Sequence, residues 1–318
     1  SFLNAQGYQT LAFWGGLGIF LSTVYSAIGT HHHIPNLYKP PQRSLRFREF
    51  FGEIKQTLSN KSWVVLFLAG CIYAIVTGTD TGVGVYYNQY LWKWEPRAIA
   101  IYSVCAALTV VAVAFFSPLI ARGKEKKHVA IGVFLCAVFL GPLPIFLRLI
   151  DPYVAISTFP ENGSDMLWWV MLIHTCTTSG LAMLGFIYVG SMGMEIVEDV
   201  ETKTGRREEG LLGTVNSMIH KLVGAGGVVI AGVIITVSGF DDPTLDPSEK
   251  YTTAINTFSW IHVAVGFFLP LCSTLLITQY SINRKSHMEN VSELGYTNTS
   301  SSSGYSRLGD SGDSSGGI

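Results

Sequence analysis

Residues 193–213 read GMEIVEDVETKTGRREEGLLG. Eleven of the fifteen positions from Glu195 to Glu209 are charged or hydroxyl-bearing, whereas Met166–Met194 before them and Gly210–His220 after them contain no Asp, Glu, Lys or Arg. A dense cluster of both signs between two apolar runs of helix length reads as a connection between membrane spans. The rest of the chain supports that reading. Only 14% of its 318 residues are charged, against about 25% in soluble domains. A hydrocarbon core needs about 20 apolar residues in a helix. Seven segments qualify, at roughly 8–29, 63–90, 98–121, 128–150, 166–193, 211–238 and 254–280. No soluble fold of this length buries seven such runs. The expected fold class is an all-α polytopic membrane protein with seven transmembrane helices.

The basic residues orient it. The connections 30–62, 122–127 and 194–210, with the tail 281–318, carry 16 of the 21 Lys and Arg, and the alternate connections carry only Lys93, Arg97 and Lys250. By the positive-inside rule the first group is cytoplasmic, as is the C-terminus. The sequon at Asn162 then falls outside and is the expected glycosylation acceptor, while those at Asn60, Asn290 and Asn298 fall inside and stay silent. All five cysteines lie in apolar runs, so no disulfide framework is expected. The net charge of −1 gives no indication of nucleic acid, and no nucleic-acid partner is expected. The chain begins with Ser1 and enters its first helix at once, which reads as the later part of a longer polypeptide. Residues 30–62 are long, basic and proline-marked, like a hinge between two membrane halves, and Ser44–Leu58 has the spacing of a short interfacial helix. Beyond Ser286 the chain is rich in Ser and Gly and is expected to be disordered.

Few polar side chains interrupt the spans, and these are the candidates for function. Lys221 sits about ten residues into its helix, roughly 15 Å deep and near the middle of the bilayer. An intramembrane charge costs on the order of 3 kcal/mol unless it is paired or faces water. Lys221 therefore lines a wet pathway or belongs to a structural ion pair. Asn216 and His220 share a helix face that Gly224 and Gly227 continue, which suits a cavity wall that also packs closely on a neighbour. Asp80 lies in VTGTDTGVG, residues 76–84. Gly-interrupted helices near the midplane recur in transporter sites, and close helix packing is the plainer alternative. Tyr86, Tyr87 and Tyr90 suit an interfacial aromatic belt, with Tyr87 also a candidate to face the cavity. His174 reads as a hydrogen-bonded packing residue, and Pro142 and Pro144 as a kink. His31, His32 and His33 are adjacent and cannot converge on a metal from one helix face. No Walker motif, nucleophile elbow or paired-cysteine spacing is present, so no enzyme, metal site or resident cofactor is expected.

The run Glu195–Gly210, the helix carrying Lys221 and then Gly239-Phe240 resemble the signature after the tenth helix of the glycoside–pentoside–hexuronide:cation symporters. These are melibiose-carrier relatives within the major facilitator superfamily. Tyr86-Tyr87 after a Gly-rich helix and Gly29-Thr30 closing the first helix are similar too. The resemblance covers most of residues 1–280. It implies a twelve-helix fold in two halves. Residues 1–29 would be the last helix of the N-terminal half, 30–62 the central cytoplasmic loop, 63–280 the C-terminal six-helix bundle and 281–318 a disordered cytoplasmic tail. The N-terminal half of the same polypeptide would then be a partner. The resemblance also implies alternating-access transport of a small polar solute, a sugar or glycoside, across the cell membrane with Na⁺ or H⁺ as coupling ion. Glu195, Glu198, Arg206, Arg207 and Glu209 match the positions of a cytoplasmic gate of charge pairs. The family's cation site draws on acidic residues of the second helix, outside this chain. Kin of this architecture also carry lysolipids, and seven spans alone would suit a seven-helix receptor. The absence of an external cysteine pair and the gate-like cluster speak against the receptor.

Overall fold

The computed structural model describes residues 5–36, 47–154, 159–206, 208–240 and 250–295. Every element among the described residues is helical. They are α1 (Ala5–Thr30), α2 (Phe47–Leu58), α3 (Lys61–Tyr86), α4 (Pro96–Ala121), α5 (Lys126–Leu140), α6 (Leu143–Ile150), α7 (Asp165–Thr204), α8 (Glu209–Val237), α9 (Ile255–Ile277) and α10 (Arg284–Glu293). Among the described residues, seven helical spans are long and apolar enough to cross a bilayer, in agreement with the sequence reading. The chain divides into two units, residues 1–52 and 53–318. The first unit holds α1 and a 3-10 segment, His31–Asn36. The second holds the helical bundle.

Local chemistry sets the helix ends. Asn60 caps α3 by accepting from Trp63 N at 3.2 Å, and Ser164 caps α7 by accepting from Leu167 N at 3.2 Å, which satisfies donors that a helix start leaves open. Pro96 occupies the first turn of α4, where its missing N–H costs nothing. The expected span 128–150 is broken at Gly141-Pro142 into α5 and α6. Pro144 has no N–H for the carbonyl of Leu140, four residues back. His174 on α7 reaches that carbonyl with Nε2 at 2.8 Å. Because a carbonyl only accepts, Nε2 carries the proton. A proline kink on one helix is thus completed by a histidine on another, as a lipid environment demands of freed backbone groups.

The most extensive interface in the bundle joins α3 to α8, and it is built on glycine. A Cβ placed on Gly78 would collide with the Gly224 carbonyl, and one on Gly227 with the Ile75 carbonyl. Small residues let the two backbones meet, and Thr79 Oγ1 donates to Gly227 O at 3.1 Å across the contact. Similar bonds run from Tyr188 Oη to Ser117 O (3.0 Å) between α7 and α4, and from Ser273 Oγ to Ala69 O (2.8 Å) between α9 and α3. Phe115, Phe116 and Leu119 are exposed. In water such a surface would be a liability; against lipid tails it is the favoured outer face.

Two differences from the sequence reading concern the charged segments. Most of the cluster after Met194 is helix and not loop: α7 runs for 40 residues, Asp165–Thr204. Nothing in the sequence breaks it before Gly205, which takes φ +66° as a left-handed helix cap, and Asp199–Lys203 pairs along its last turns at 2.7 Å. The tail expected to be disordered beyond Ser286 begins with α10, capped by Asn283, whose side chain accepts from Ser286 N at 2.8 Å. The proposed interfacial helix at 44–58 is present as α2, Phe47–Leu58; residues 44–46 lie outside the described residues, as do 296–318.

Candidate functional site: a cavity between α3, α7 and α8

A cavity of about 830 Å³ lies between α3, α7 and α8, with Phe134 of α5 and Ser273 and Ile277 of α9 completing its wall. On α3 it is lined by Leu66, Gly70, Tyr73 and Thr77, together with Trp63 and Phe67. The spacing of three and four residues keeps these on one helix face. On α8 the lining includes Glu209, Asn216, His220 and Lys221. The structure therefore brings together three of the five predicted pathway residues, Lys221, Asn216 and His220. Asn216 and Lys221 are exposed, and Lys221 has no ion-pair partner among the described residues. His220 is half-buried with Nε2 unpaired among the described residues. Its ring lies over Gly70, where a Cβ would overlap it.

The other two predicted pathway residues lie elsewhere. Asp80 pairs with His262 of α9, Oδ1 to Nε2 at 2.6 Å, rather than with Lys221. Tyr87 is buried, packs on His262 and Phe258 with ring centroids 5.1 Å and 5.0 Å away, and stands beside the Ser259 hydroxyl. Tyr86 and Tyr90 join Phe240 in the same aromatic cluster. Sequence reasoning missed His262, although a single histidine in a span without Asp, Glu, Lys or Arg was a readable signal.

The predicted gate residues occupy the opposite end of α7, at the basic end of the bundle. Glu195 is only 6% exposed. Its carboxylate meets Lys126 Nζ at 2.7 Å and accepts from Tyr280 Oη at 3.0 Å. Burial first, then the Glu195 carboxylate, pushes the Tyr280 hydroxyl upward, so it stays protonated and donates. Lys127 Nζ donates to the Tyr280 carbonyl at 2.7 Å, fixing the chain just beyond α9. Glu198 Oε2 lies 2.7 Å from His287 Nδ1 of α10, and Asn60 donates to Asp199 at 2.7 Å. Arg206 Nε meets Glu208 Oε1 at 2.6 Å, and Glu208 Oε2 accepts from Thr57 of α2 at 2.5 Å. Glu209 lines the cavity, and Arg207 lies outside the described residues. Beside the local pairs Arg206–Glu208 and Asp199–Lys203, the partners thus come from α2, α5, α10 and the flanks of α3 and α9. Sequence reading missed Lys126, Tyr280 and His287 because only the third dimension places them beside α7.

The family described as MFS/sugar transport protein matches residues 2–284. The chain belongs to that family. This sugar-transport family member is also similar to a Raffinose carrier protein of Pediococcus pentosaceus, 25% identical over 277 residues. The match covers 85% of this chain and 39% of that protein, so the chain spans about two-fifths of the length of the curated relative. Family membership and the seven apolar spans together make it a multi-pass integral membrane protein.

Proposed function

We propose that this chain forms one wall of the pathway of a secondary active transporter, which moves a sugar or glycoside by alternating access with Na⁺ or H⁺ as the coupled ion. The observation that carries the reading is the α3–α7–α8 cavity, whose lining includes Asn216, His220 and Lys221 together with the aromatic side chains of Trp63, Phe67 and Tyr73. Rings offer a face to the apolar side of a sugar, and the amide, imidazole and ammonium offer hydrogen bonds to its hydroxyls. That combination of apolar wall and few polar groups is typical of small-molecule sites. The exposed Lys221 is tolerable only beside water or a partner. A second bundle of the same polypeptide supplies the facing wall. The basic end lies in the cytoplasm by the positive-inside rule, in the cell membrane, with the α7 charge network at the inner mouth.

Raffinose, which the relative's name specifies, is the first solute to test. Reconstituted intact polypeptide is expected to take up labelled raffinose. Lys221→Met keeps the side chain's length and removes its charge, so the variant should fold and insert yet lose accumulation. Normal uptake by a well-folded Lys221→Met variant removes Lys221 from the mechanism. One observation favours a second solute class. Much of the cavity wall is aliphatic or aromatic, including Leu66, Ala182, Phe186, Val189 and Leu212, which suits an amphiphile such as a lysolipid. Competition between raffinose and a lysophospholipid for uptake decides between the two.

A further inference from the structure

We propose that Gly70 is a specificity-determining position of the cavity: the notch it leaves in α3 seats the His220 imidazole, and that seat sets how large a sugar the cavity admits; this rests on the transporter reading above. Three glycines of α3 face α8, and they serve different ends. A Cβ on Gly78 would overlap the Gly224 carbonyl, and one on Gly82 would overlap the Cβ of Ala231, so these two let the helices approach. At Gly70 the three atoms nearest to an added Cβ all belong to the His220 ring. Cε1 and Nε2 occupy the notch, and Nδ1 stands farther out at 3.7 Å. Outside the local backbone of α3, no other atom comes closer than that, so the missing side chain makes room for the imidazole and for nothing else.

The seat lies in the middle of an aromatic wall. Phe67, Gly70 and Tyr73 follow one another at intervals of three residues on the lining face of α3. Trp63 stacks on Phe67 with ring centroids 4.6 Å apart, and Tyr73 meets Phe134 of α5 edge-on at 6.2 Å. The rings on either side of Gly70 are thus held by other rings, and the gap between them is filled from α8 by His220. With the imidazole seated, the cavity keeps its volume of about 830 Å³. That is near the top of the ~300–1,000 Å³ of small-molecule sites, which suits an oligosaccharide. The residues one turn from His220 on α8, Asn216 and Gly224, also line the cavity. A ring displaced away from α3 therefore moves over the lining and takes space from the solute.

Packing alone does not account for a histidine in this notch. A phenyl ring would fill it without stranding a polar atom, whereas Nε2 is buried with no partner among the described residues, and an unmade hydrogen bond at a buried nitrogen is a cost. Nδ1 is not buried in this way, and it too has no protein partner among the described residues. It is left for a hydroxyl of the solute. His220 thus touches the solute, and Gly70 acts through His220 as a positioning residue.

The test compares Gly70→Ala, His220→Ala and the double variant in the intact protein. A side-chain ring can swing where backbone cannot, so Gly70→Ala should fold, as melting curves in detergent would show. If it does not, the double variant must, since the ring is all that the new methyl group would overlap; failure of both assigns Gly70 to backbone packing and overturns the seat. In the folded single variant, carbethoxylation of His220 by diethyl pyrocarbonate, located by peptide mass spectrometry, should run several-fold faster than in the wild type, whose Nε2 is shielded. Equal rates overturn the seat. In vesicles, exchange of labelled raffinose, a trisaccharide, should need about tenfold more sugar for half-saturation in Gly70→Ala, the scale of one misplaced methylene in a pocket. The maximal rate should be kept, and the monosaccharide galactose should be affected less. In the His220→Ala background, Gly70→Ala should change nothing further. A raffinose defect that persists there overturns the proposal, as does an unchanged half-saturation in the single variant. If the wild type moves no raffinose, the sugar reading fails, and the labelling rates still decide whether the notch seats His220.

Discussion

Gly227→Ala adds one methyl group at the closest approach of α3 and α8. Its Cβ would collide with the Ile75 carbonyl and stand 2.9 Å from Thr79 N and 3.0 Å from Gly78 Cα. All three atoms belong to backbone, so no side chain can swing aside. Restoring ordinary contact requires the helices to part by roughly 0.5–1 Å, which forfeits a quarter to a half of each dispersion contact across the seam. The Thr79 hydroxyl bond to Gly227 O, now 3.1 Å, would lengthen as well. Overpacking of this kind costs about 1–3 kcal/mol. Ala is intrinsically better than Gly in a helix by up to about 1 kcal/mol, so the net loss reaches about 2 kcal/mol. The neighbouring Gly226 supplies the control, since a Cβ there meets nothing within 4 Å. Gly226→Ala should be neutral or mildly stabilising. Thermal unfolding of both variants in the same detergent should therefore place Gly227→Ala clearly below wild type and Gly226→Ala at or above it. Equal melting temperatures for the two would refute close backbone packing as the basis of the α3–α8 interface.

Two further expectations concern the ends of the bundle. Lys126→Met leaves the buried Glu195 carboxylate with Tyr280 as its remaining partner. The loss should be about 1–3 kcal/mol, between the ~0–1 of an exposed pair and the ~3–5 of a broken buried one, because Lys126 is 36% exposed. Adding Glu195→Gln should recover part of it, and a double variant no more stable than the single one in detergent melts would show that the charge is not what matters. When the chain is made in a eukaryotic membrane, Asn162 alone among the sequons should carry a glycosidase-sensitive sugar; modification of Asn60 or Asn290 would reverse the orientation.

The membrane architecture was legible because a bilayer imposes length and apolarity on every span. The same apolarity hides partners. In spans where most side chains face lipid or another helix, helical periodicity did not say which neighbour Asp80 or His262 would meet. His174 was read as a packing residue, and its reason, the carbonyl left bare by Pro144, emerges only when α5 and α7 are side by side. The cluster at 195–209 was read as a loop because charge density usually marks one. Helix continuation to Thr204 depended instead on the absence of any breaker before Gly205. Asn216 and His220 stand one turn apart on a single helix, with Lys221 next to His220, so grouping them needed no tertiary information.

The partners of the charge cluster also alter what the cluster does on the carrier reading. A gate formed within one loop would open by rearranging that loop. Here Glu195 is held by Lys126 and Tyr280, Asp199 by Asn60 and Glu208 by Thr57, and Glu198 lies beside His287. All of these residues belong to the same unit, 53–318. The network therefore ties the basic ends of α2, α5, α7 and α10 into one body. Such contacts are worth about 0–1 kcal/mol each when exposed, so several together supply a few kcal/mol of rigidity. Shifting a two-state equilibrium from 1:99 to 99:1 takes about 5.5 kcal/mol. Melting this end on every cycle would consume a comparable amount, whereas moving it as a block against a facing bundle consumes none of it. On the carrier reading, rigid rocking is then the cheaper motion, and the network would keep this end of the wall in one piece while the cavity changes sides.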